Sequence, residues 1–165
     1  MSGSSTQTED CEYNLDNLTP VAGLSGYNIL EPNSVEAVMD FVANQGPLAV
    51  AVAASDWGWY SGGVFDGCSY DDNIALNHAV VLVGYGTDET EGDYWIVRNS
   101  WGPGWGENGH IRLKRESTAM CGVNSTPMDG TACVGGPGND QQTVCGMCGV
   151  LFDVSYPLGA HLIKN

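Results

Sequence analysis

His78 and Asn99 are two polar residues whose types and positions could form half of a catalytic site. His78 opens the apolar stretch 78–86 (HAVVLVGYG), and Asn99 follows the apolar stretch 94–98 (YWIVR). An acidic, glycine-bearing turn over 85–92 lies between them, so we expect two antiparallel strands whose far ends meet. A histidine beside an asparagine amide has its ring orientation and tautomer set by the amide oxygen. That arrangement is a general base with its orienting residue.

The elements that must position these residues are mostly predicted strands. We predict one helix over 31–45, with Asn33 as its N-cap and an apolar stripe that faces the core. The predicted strands are 48–53, the two apolar stretches above, 110–114 as an edge strand and 150–156 as the last strand. The predicted fold class is therefore α+β, a mostly antiparallel, barrel-like β lobe with one main helix.

Composition restricts the classes of function that the chain could have. Its 165 residues suit one domain or half of a two-lobed one. A formal charge of −15, from 20 acidic against 5 basic residues, argues against nucleic acid or an anionic membrane as a partner. The longest apolar runs, 47–54 and 79–83, are far shorter than the ~20 residues that span a bilayer, so we expect no membrane insertion.

The N-terminal segment, the cysteines and the sequons together suggest a fragment or a processed chain of a secretory protein. Segment 1–10 is polar, is predicted to be flexible, and lacks the basic start and apolar core of a signal peptide. Six cysteines and two Asn-x-Ser/Thr sequons, at Asn17 and Asn124, are nonetheless typical of secretion. Cysteines and sequons typical of secretion, in a chain that does not begin with a signal peptide, suggest a fragment or a processed chain. Segment 118–147, rich in Gly, Pro, Thr and Cys, is predicted to be a loop insertion that needs cross-links to be ordered.

The segments AVVLVGYG after His78 and YWIVRNSWGPGWGENGHIRLKR around Asn99 resemble the C-terminal half of the papain-like cysteine peptidases, cathepsin L included. The resemblance implies a right-hand lobe over 11–157, the second half of a two-lobed fold, with a tail over 158–165. It implies that His78 is the catalytic base and Asn99 its orienting residue. Trp101 resembles the indole that shields the His–Asn hydrogen bond and forms part of the primed-side substrate surface.

The nucleophile of that family is missing from this sequence. In papain-like enzymes the histidine lies about 130–150 residues after the cysteine of a C-G-[SA]-C-[WY] motif. A cysteine that far before His78 would lie before residue 1, and none of the six cysteines stands in a C-G-[SA]-C-[WY] motif. We therefore expect a Cys-bearing N-terminal lobe on a separate chain or in a missing segment, bound to an exposed apolar face, and no activity from this chain alone. Two alternatives stay open: an inactive lobe that serves as a structural or binding subunit, and an incomplete enzyme.

The resemblance also implies a substrate pocket for the second peptide residue N-terminal to the cut. The residues that would line it are Ala51, Leu76, Asn77 and Ala79. Asp153 would lie at its base, where a carboxylate favours Lys or Arg by charge-assisted pairing. The implied reaction is peptide hydrolysis without a metal or an organic cofactor, in a lysosome or vacuole or after secretion. His110 is interpreted as structural and His161 as a surface residue of the tail.

Six cysteines allow 15 connectivities, so any pairing depends on the resemblance. Cys121 and Cys148 both look like the family's cysteine before the last strand, and Cys148 has the better spacing to the final Tyr-Pro. The implied disulfides are Cys68–Cys148 and, within the insertion, Cys133–Cys145. Cys11 resembles a cysteine whose partner lies in the other lobe, and Cys121 has no obvious mate. Cys145-x-x-Cys148 has the spacing of a zinc-binding pair, but the sequence has no second such pair. We therefore predict no metal site.

Overall fold

The computed structural model describes residues 20–128 and 140–163; the predicted flexible segment 1–10 lies outside these ranges. The elements, in chain order, are β1 Ala22–Gly23, β2 Gly26–Ile29, α1 Val35–Asn44, β3 Leu48–Val52, β4 Val64–Phe65, β5 His78–Asp88, β6 Gly92–Arg98, β7 His110–Lys114, β8 Cys121–Asn124, β9 Gln142–Cys145, β10 Val154–Leu158 and β11 His161–Leu162. Two short 3₁₀ helices, Ser55–Trp59 and Met147–Gly149, lie between strands.

Seven strands form one sheet in the order β2-β10-β3-β5-β6-β7-β4. Its neighbours pair antiparallel except β4 and β7, which pair parallel. The predicted α+β class, with antiparallel strands and one main helix, is confirmed. Within the described ranges the sheet does not close into a barrel, because β2 and β4 each have a neighbour on only one side. The prediction of 110–114 as an edge strand is wrong, since Val64 and Phe65 pair with Arg112 and Leu113 of β7.

Helix α1 begins later than predicted, and its N-cap is Ser34 rather than Asn33. The Ser34 hydroxyl accepts a hydrogen bond from the main-chain N–H of Ala37 at 3.2 Å. Asn33 has a φ of 63°, and its side chain donates to the Thr143 carbonyl and accepts from the Cys145 N–H. Asn33 therefore anchors the start of the helix to β9.

No helix in residues 20–128 and 140–163 is long and apolar enough to cross a bilayer.

The two faces of the sheet differ in their surroundings. One face is buried under α1 and the Met147–Gly149 turn, and its fully buried members include Leu48, Val52, Leu82, Trp95, Val97, Ile111, Leu113 and Val154. On the other face a row of residues runs through successive paired strands: Ile29, Ser155, Ala49, Val81 and Arg98. Ile29 is 58% exposed and Val81 39%. This second face is therefore largely open to solvent.

Two disulfides lie within the described residues. Cys68 pairs with Cys148, the pairing that the resemblance implies. The implied Cys133–Cys145 pairing is wrong, because Cys145 is bonded to Cys121. The antiparallel pairing of β8 with β9 places these two cysteines directly opposite each other, with their Cα atoms 4.0 Å apart. Cys11 and Cys133 lie outside the described ranges.

Candidate active site

His78 and Asn99 lie side by side where β5 begins and β6 ends. Nε2 of His78 is 2.9 Å from Oδ1 of Asn99, and the main-chain N–H of Ser100 donates to the same oxygen at 2.7 Å. Because an N–H requires an acceptor, this second bond identifies the atom as the amide oxygen and excludes a flipped amide. Nε2 must therefore carry the proton, and Nδ1 keeps the lone pair of the neutral ring.

Strand pairing sets the positions of these two residues. His78 pairs with Val52 of β3 on one side, and Asn99 directly follows Arg98, which pairs with Val81 of β5. The main-chain N–H of Asn99 donates to the Gly109 carbonyl at 2.9 Å, which ties it to the loop before β7. The two far ends meet, as the hairpin prediction requires.

Two indoles contact the histidine ring, and a third packs against both of them. The Trp101 ring stacks on the His78 ring with centroids 5.3 Å apart and planes 29° apart, and the Trp57 ring meets it edge-on at 6.3 Å. Trp105 contacts both other indoles, at 5.1 Å and 6.1 Å. Asn99 is only 8% exposed. A hydrogen bond held in such an apolar setting is stronger than one that competes with water.

Trp57 is the member of this cluster that the sequence analysis missed. It lies between the predicted strands 48–53 and 78–86, yet its side chain is fully buried, and its Nε1–H points to Sγ of Cys148 at 3.4 Å. Its main-chain carbonyl accepts the Nε1–H of Trp105 at 3.2 Å. The only signal available was that an indole is costly to leave exposed, and that signal does not separate Trp57 from Trp59, which is 98% exposed.

Three of the predicted substrate residues lie close together, two on adjacent strands and one directly before β10. Ala51 of β3 pairs with Ala79 of β5, and the Ala51 N–H donates to the Asp153 carbonyl at 3.1 Å. Both alanines alternate with buried valines, so they belong to the open face of the sheet. The Asp153 side chain is exposed beside them. The structure therefore brings Asp153, Ala51 and Ala79 to one edge of the open face.

Leu76 and Asn77 precede the histidine and have different surroundings. Leu76 packs against Gly149, where a Cβ would lie 2.7 Å from Cδ2 of Leu76. The Asn77 amide accepts from the Ala54 N–H at 3.0 Å and donates to Oγ of Ser55 at 2.9 Å. Its side chain therefore holds the end of β3 against the segment that leads into His78.

The other two histidines lie outside this cluster of rings. Nδ1 of His110 faces the Asn108 carbonyl at 3.1 Å. Nδ1 of His161 faces the Gly159 carbonyl at 2.8 Å, on an exposed strand near the end of the described chain.

Comparison with known proteins identifies the family. The sequence model described as "Papain family cysteine protease" matches residues 3–131, which is more than half of the chain. The protein therefore belongs to the papain family of cysteine proteases.

The relatives include plant and animal proteases. Vignain of Phaseolus vulgaris is 46% identical over 110 residues, covering 63% of this chain and 29% of the relative. A cathepsin L-like protein of Caenorhabditis elegans is 42% identical over 118 residues, covering 69% and 34%. The bromelain protease of Ananas comosus, solved with the E64 inhibitor, has a TM-score of 0.59 at 35% identity, covering 82% of this chain and 50% of that one. Digestive procathepsin L 3 of Tenebrio molitor has a TM-score of 0.62 at 34% identity, covering 92% and 40%.

The chain thus spans 29% and 34% of the two curated relatives, and the matched part is their C-terminal part.

Proposed function

We propose that this chain is the C-terminal lobe of a papain-like cysteine endopeptidase, in which His78 is the catalytic base and Asn99 orients it. The observation that supports this most directly is the 2.9 Å bond between Nε2 of His78 and Oδ1 of Asn99. It places the ring proton on Nε2 and keeps Nδ1 as the basic nitrogen. Among the described residues no hydrogen bond occupies Nδ1, so it is available to a thiol from elsewhere.

In this proposal the nucleophile is a cysteine of the N-terminal lobe. Nδ1 of His78 takes the thiol proton, which gives a thiolate–imidazolium pair. The thiolate attacks the peptide carbonyl, and the imidazolium protonates the leaving amine as the C–N bond breaks, leaving a thioester. Neutral His78 then takes a proton from water, which hydrolyses the thioester and releases the carboxylate product and the thiol. Asn99 suits this cycle because the resting state is already an ion pair and needs no buried carboxylate.

The partner in this proposal is the Cys-bearing lobe, on a separate chain or on another segment of the same chain. The exposed apolar side chains of Ile29, Ala49 and Val81 on the open face support this, because exposed apolar patches are typical of interaction sites. The peptide would bind between the lobes, against Trp101 and the pocket residues Ala51, Leu76, Asn77, Ala79 and Asp153. No metal and no organic cofactor takes part. The two disulfides favour passage through the oxidising secretory pathway, with a lysosome, a vacuole or the cell exterior as the destination.

The test is to label the natively purified material with an electrophilic probe for active-site thiols and to measure the intact mass of every labelled chain. We expect the label on a second, co-purifying chain that carries the missing lobe, or on a single longer chain that includes this sequence. If the Cys-bearing lobe is present and nothing labels under reducing, mildly acidic conditions, the proposal fails. The inactive structural subunit would then be the better interpretation.

The position of Asp153 predicts the substrate preference of the assembled enzyme. Replacement of Asp153 by Ala should lower the ratio of kcat/KM for Arg over Leu at the second residue N-terminal to the cut. One charge-assisted bond corresponds to a loss of roughly ten- to a hundredfold. Paired peptide reporters that differ only in that residue measure the ratio.

The control for this prediction is Asp40→Ala, which removes an exposed carboxylate from α1, on the opposite side of the sheet. It should leave the ratio unchanged. A wild-type preference for Leu, or an unchanged ratio in Asp153→Ala, would show that Asp153 is not in the pocket.

A further inference from the structure

The loop over 101–109, which carries Trp101, is anchored by a single carboxylate near its C-terminal end, that of Glu107. Both oxygens of Glu107 accept from Nε of Arg112, at 3.2 and 2.9 Å, and Oε1 also accepts from Nη2 at 2.9 Å. The main-chain N–H of Gly63 donates to the same Oε1 at 3.0 Å. Glu107 therefore joins its loop to β7 and to the segment before β4.

Arg112 is itself held from several sides. Its Nη1 lies 3.2 Å from a carboxylate oxygen of Asp88, and its Nη2 lies 3.6 Å from one of Glu91. Its guanidinium also lies over the Tyr94 ring, 5.0 Å from the centroid. Because the planar fork of an arginine is fixed by such contacts, the position of Glu107 is tied to the β5–β6 hairpin.

Tyr60 adds a second connection between the same parts. Its hydroxyl donates to the Gly63 carbonyl at 2.7 Å and accepts from the main-chain N–H of Arg112 at 3.2 Å. The Tyr60 ring also contacts the Trp105 ring, with centroids 5.6 Å apart. The polar network and the indole cluster are therefore in direct contact.

The main chain connects Glu107 to the candidate active site in few steps. Glu107 exchanges two hydrogen bonds with His110, at 2.9 and 3.2 Å. Within the same turn, the Gly109 N–H donates to the Trp105 carbonyl at 2.8 Å, and the Gly109 carbonyl accepts from the Asn99 N–H at 2.9 Å. A shift of Glu107 therefore moves the residue that holds the Asn99 main chain and the indole that packs against Trp101.

The loop has little room to absorb such a shift. Gly106 has a φ of 54°, and a Cβ there would lie 2.5 Å from the His110 carbonyl oxygen and 2.9 Å from the Tyr60 ring. A tightly packed turn transmits a displacement instead of relaxing locally.

We propose that Glu107, clamped by Arg112, is a positioning residue for the His78–Asn99 pair. It touches neither residue and acts through the loop over 101–109. The effect of Glu107 on catalysis rests on the proposed function. Its effect on the geometry of the His78–Asn99 pair does not.

The ionisation of the clamp agrees with this role. The hydrogen bond from Arg112, with a further one from the Gly63 N–H, holds the pKa of the Glu107 carboxyl below its usual range despite partial burial. Hydrogen bonds from Thr90, Glu91 and Arg112 hold the pKa of Asp88 at about 2. The Glu107 and Asp88 carboxylates therefore stay charged in mildly acidic solution, and their ion pairs with Arg112 remain formed there.

The test uses the full chain with ¹⁵N-labelled histidine and compares two variants by NMR, Glu107→Gln and a matched control. The readout is the rate at which the Nε2–H of His78 exchanges with water. Glu107→Gln removes the carboxylate, so Trp101 should shield the bond less and the exchange should become roughly tenfold faster. The matched control is Asp93→Asn, which breaks the 3.1 Å pair with Arg115. Asp93 lies near the start of β6, at the opposite end from Asn99.

Faster exchange in Glu107→Gln but not in Asp93→Asn supports the positioning role. The same exchange rate in the two variants, whether both are raised or both unchanged, overturns it, because a purely structural contribution affects both alike. If Glu107→Gln does not fold, Glu107→Asp, which keeps the charge but shortens the reach, is judged by the same criterion. The readout needs no activity, so a failure of the proposed function would appear in thiol labelling and not here.

Discussion

Replacement of His78 by alanine is expected to reduce kcat of the assembled enzyme by about a thousandfold or more. The variant loses the Nδ1 lone pair that takes the thiol proton and the N–H that protonates the leaving amine. KM should change much less, because the imidazole serves the proton transfers more than the ground-state binding of the peptide. Steady-state hydrolysis of a peptide reporter, with the Cys-bearing lobe present, measures both constants.

The control for this prediction is His161→Ala, on the exposed strand β11. It removes an imidazole of the same chemistry that lies away from Asn99 and the indoles, so it should keep wild-type kcat. Asn99→Ala should lie between the two, since Trp101 still stacks on the ring while the amide acceptor is lost. A His78→Ala enzyme within tenfold of wild-type kcat would mean that the base lies elsewhere.

Loss of the Cys68–Cys148 disulfide should be the largest stability change among the cross-links that the structure describes. The bond closes a separation of 80 residues, against 24 for Cys121–Cys145. Chain entropy in the unfolded state then predicts losses of about 4.5 and about 3.5 kcal/mol in the free energy of unfolding. Alanine is the better replacement because Cys148 is fully buried, and a hydroxyl there would add a cost of its own.

Urea unfolding of the two double variants, Cys68→Ala/Cys148→Ala and Cys121→Ala/Cys145→Ala, measures both losses under one condition. Each pair is the matched control for the other, since each removes one cross-link and no charge. The first variant should also disturb His78, because Cys148 contacts Trp57 and Cys68 begins the segment that leads to the histidine. A larger loss from the second pair would contradict the chain-entropy argument.

Much of the fold could be predicted because its signals are local. Alternating apolar residues and a glycine-bearing turn define β5 and β6, and strand ends that face each other bring His78 and Asn99 together. The apolar stripe of α1 has the same local character. The composition and motifs of this chain therefore sufficed for its class and its family.

The errors concern features that depend on distant segments. Asn33 has the chemistry of an N-cap, but its side chain bonds to β9, which leaves the cap to Ser34. The strand over 110–114 is not at the edge of the sheet, because the two-residue strand β4, far away in the chain, pairs with it. The mate of Cys145 was decided by the register of β8 against β9. No local pattern contains any of these pairings.

By itself, the sequence determined the five longest strands, the one main helix, the family and the two residues that form the candidate base and its orienting partner. Only the tertiary structure decided the orientation of the Asn99 amide, the burial of Trp57 beside His78 and the clamp between Glu107 and Arg112. The physical reason is that hydrophobic periodicity is a property of neighbouring residues. The direction of a hydrogen bond and the surroundings of a ring depend on which strands come to lie next to each other when the chain folds.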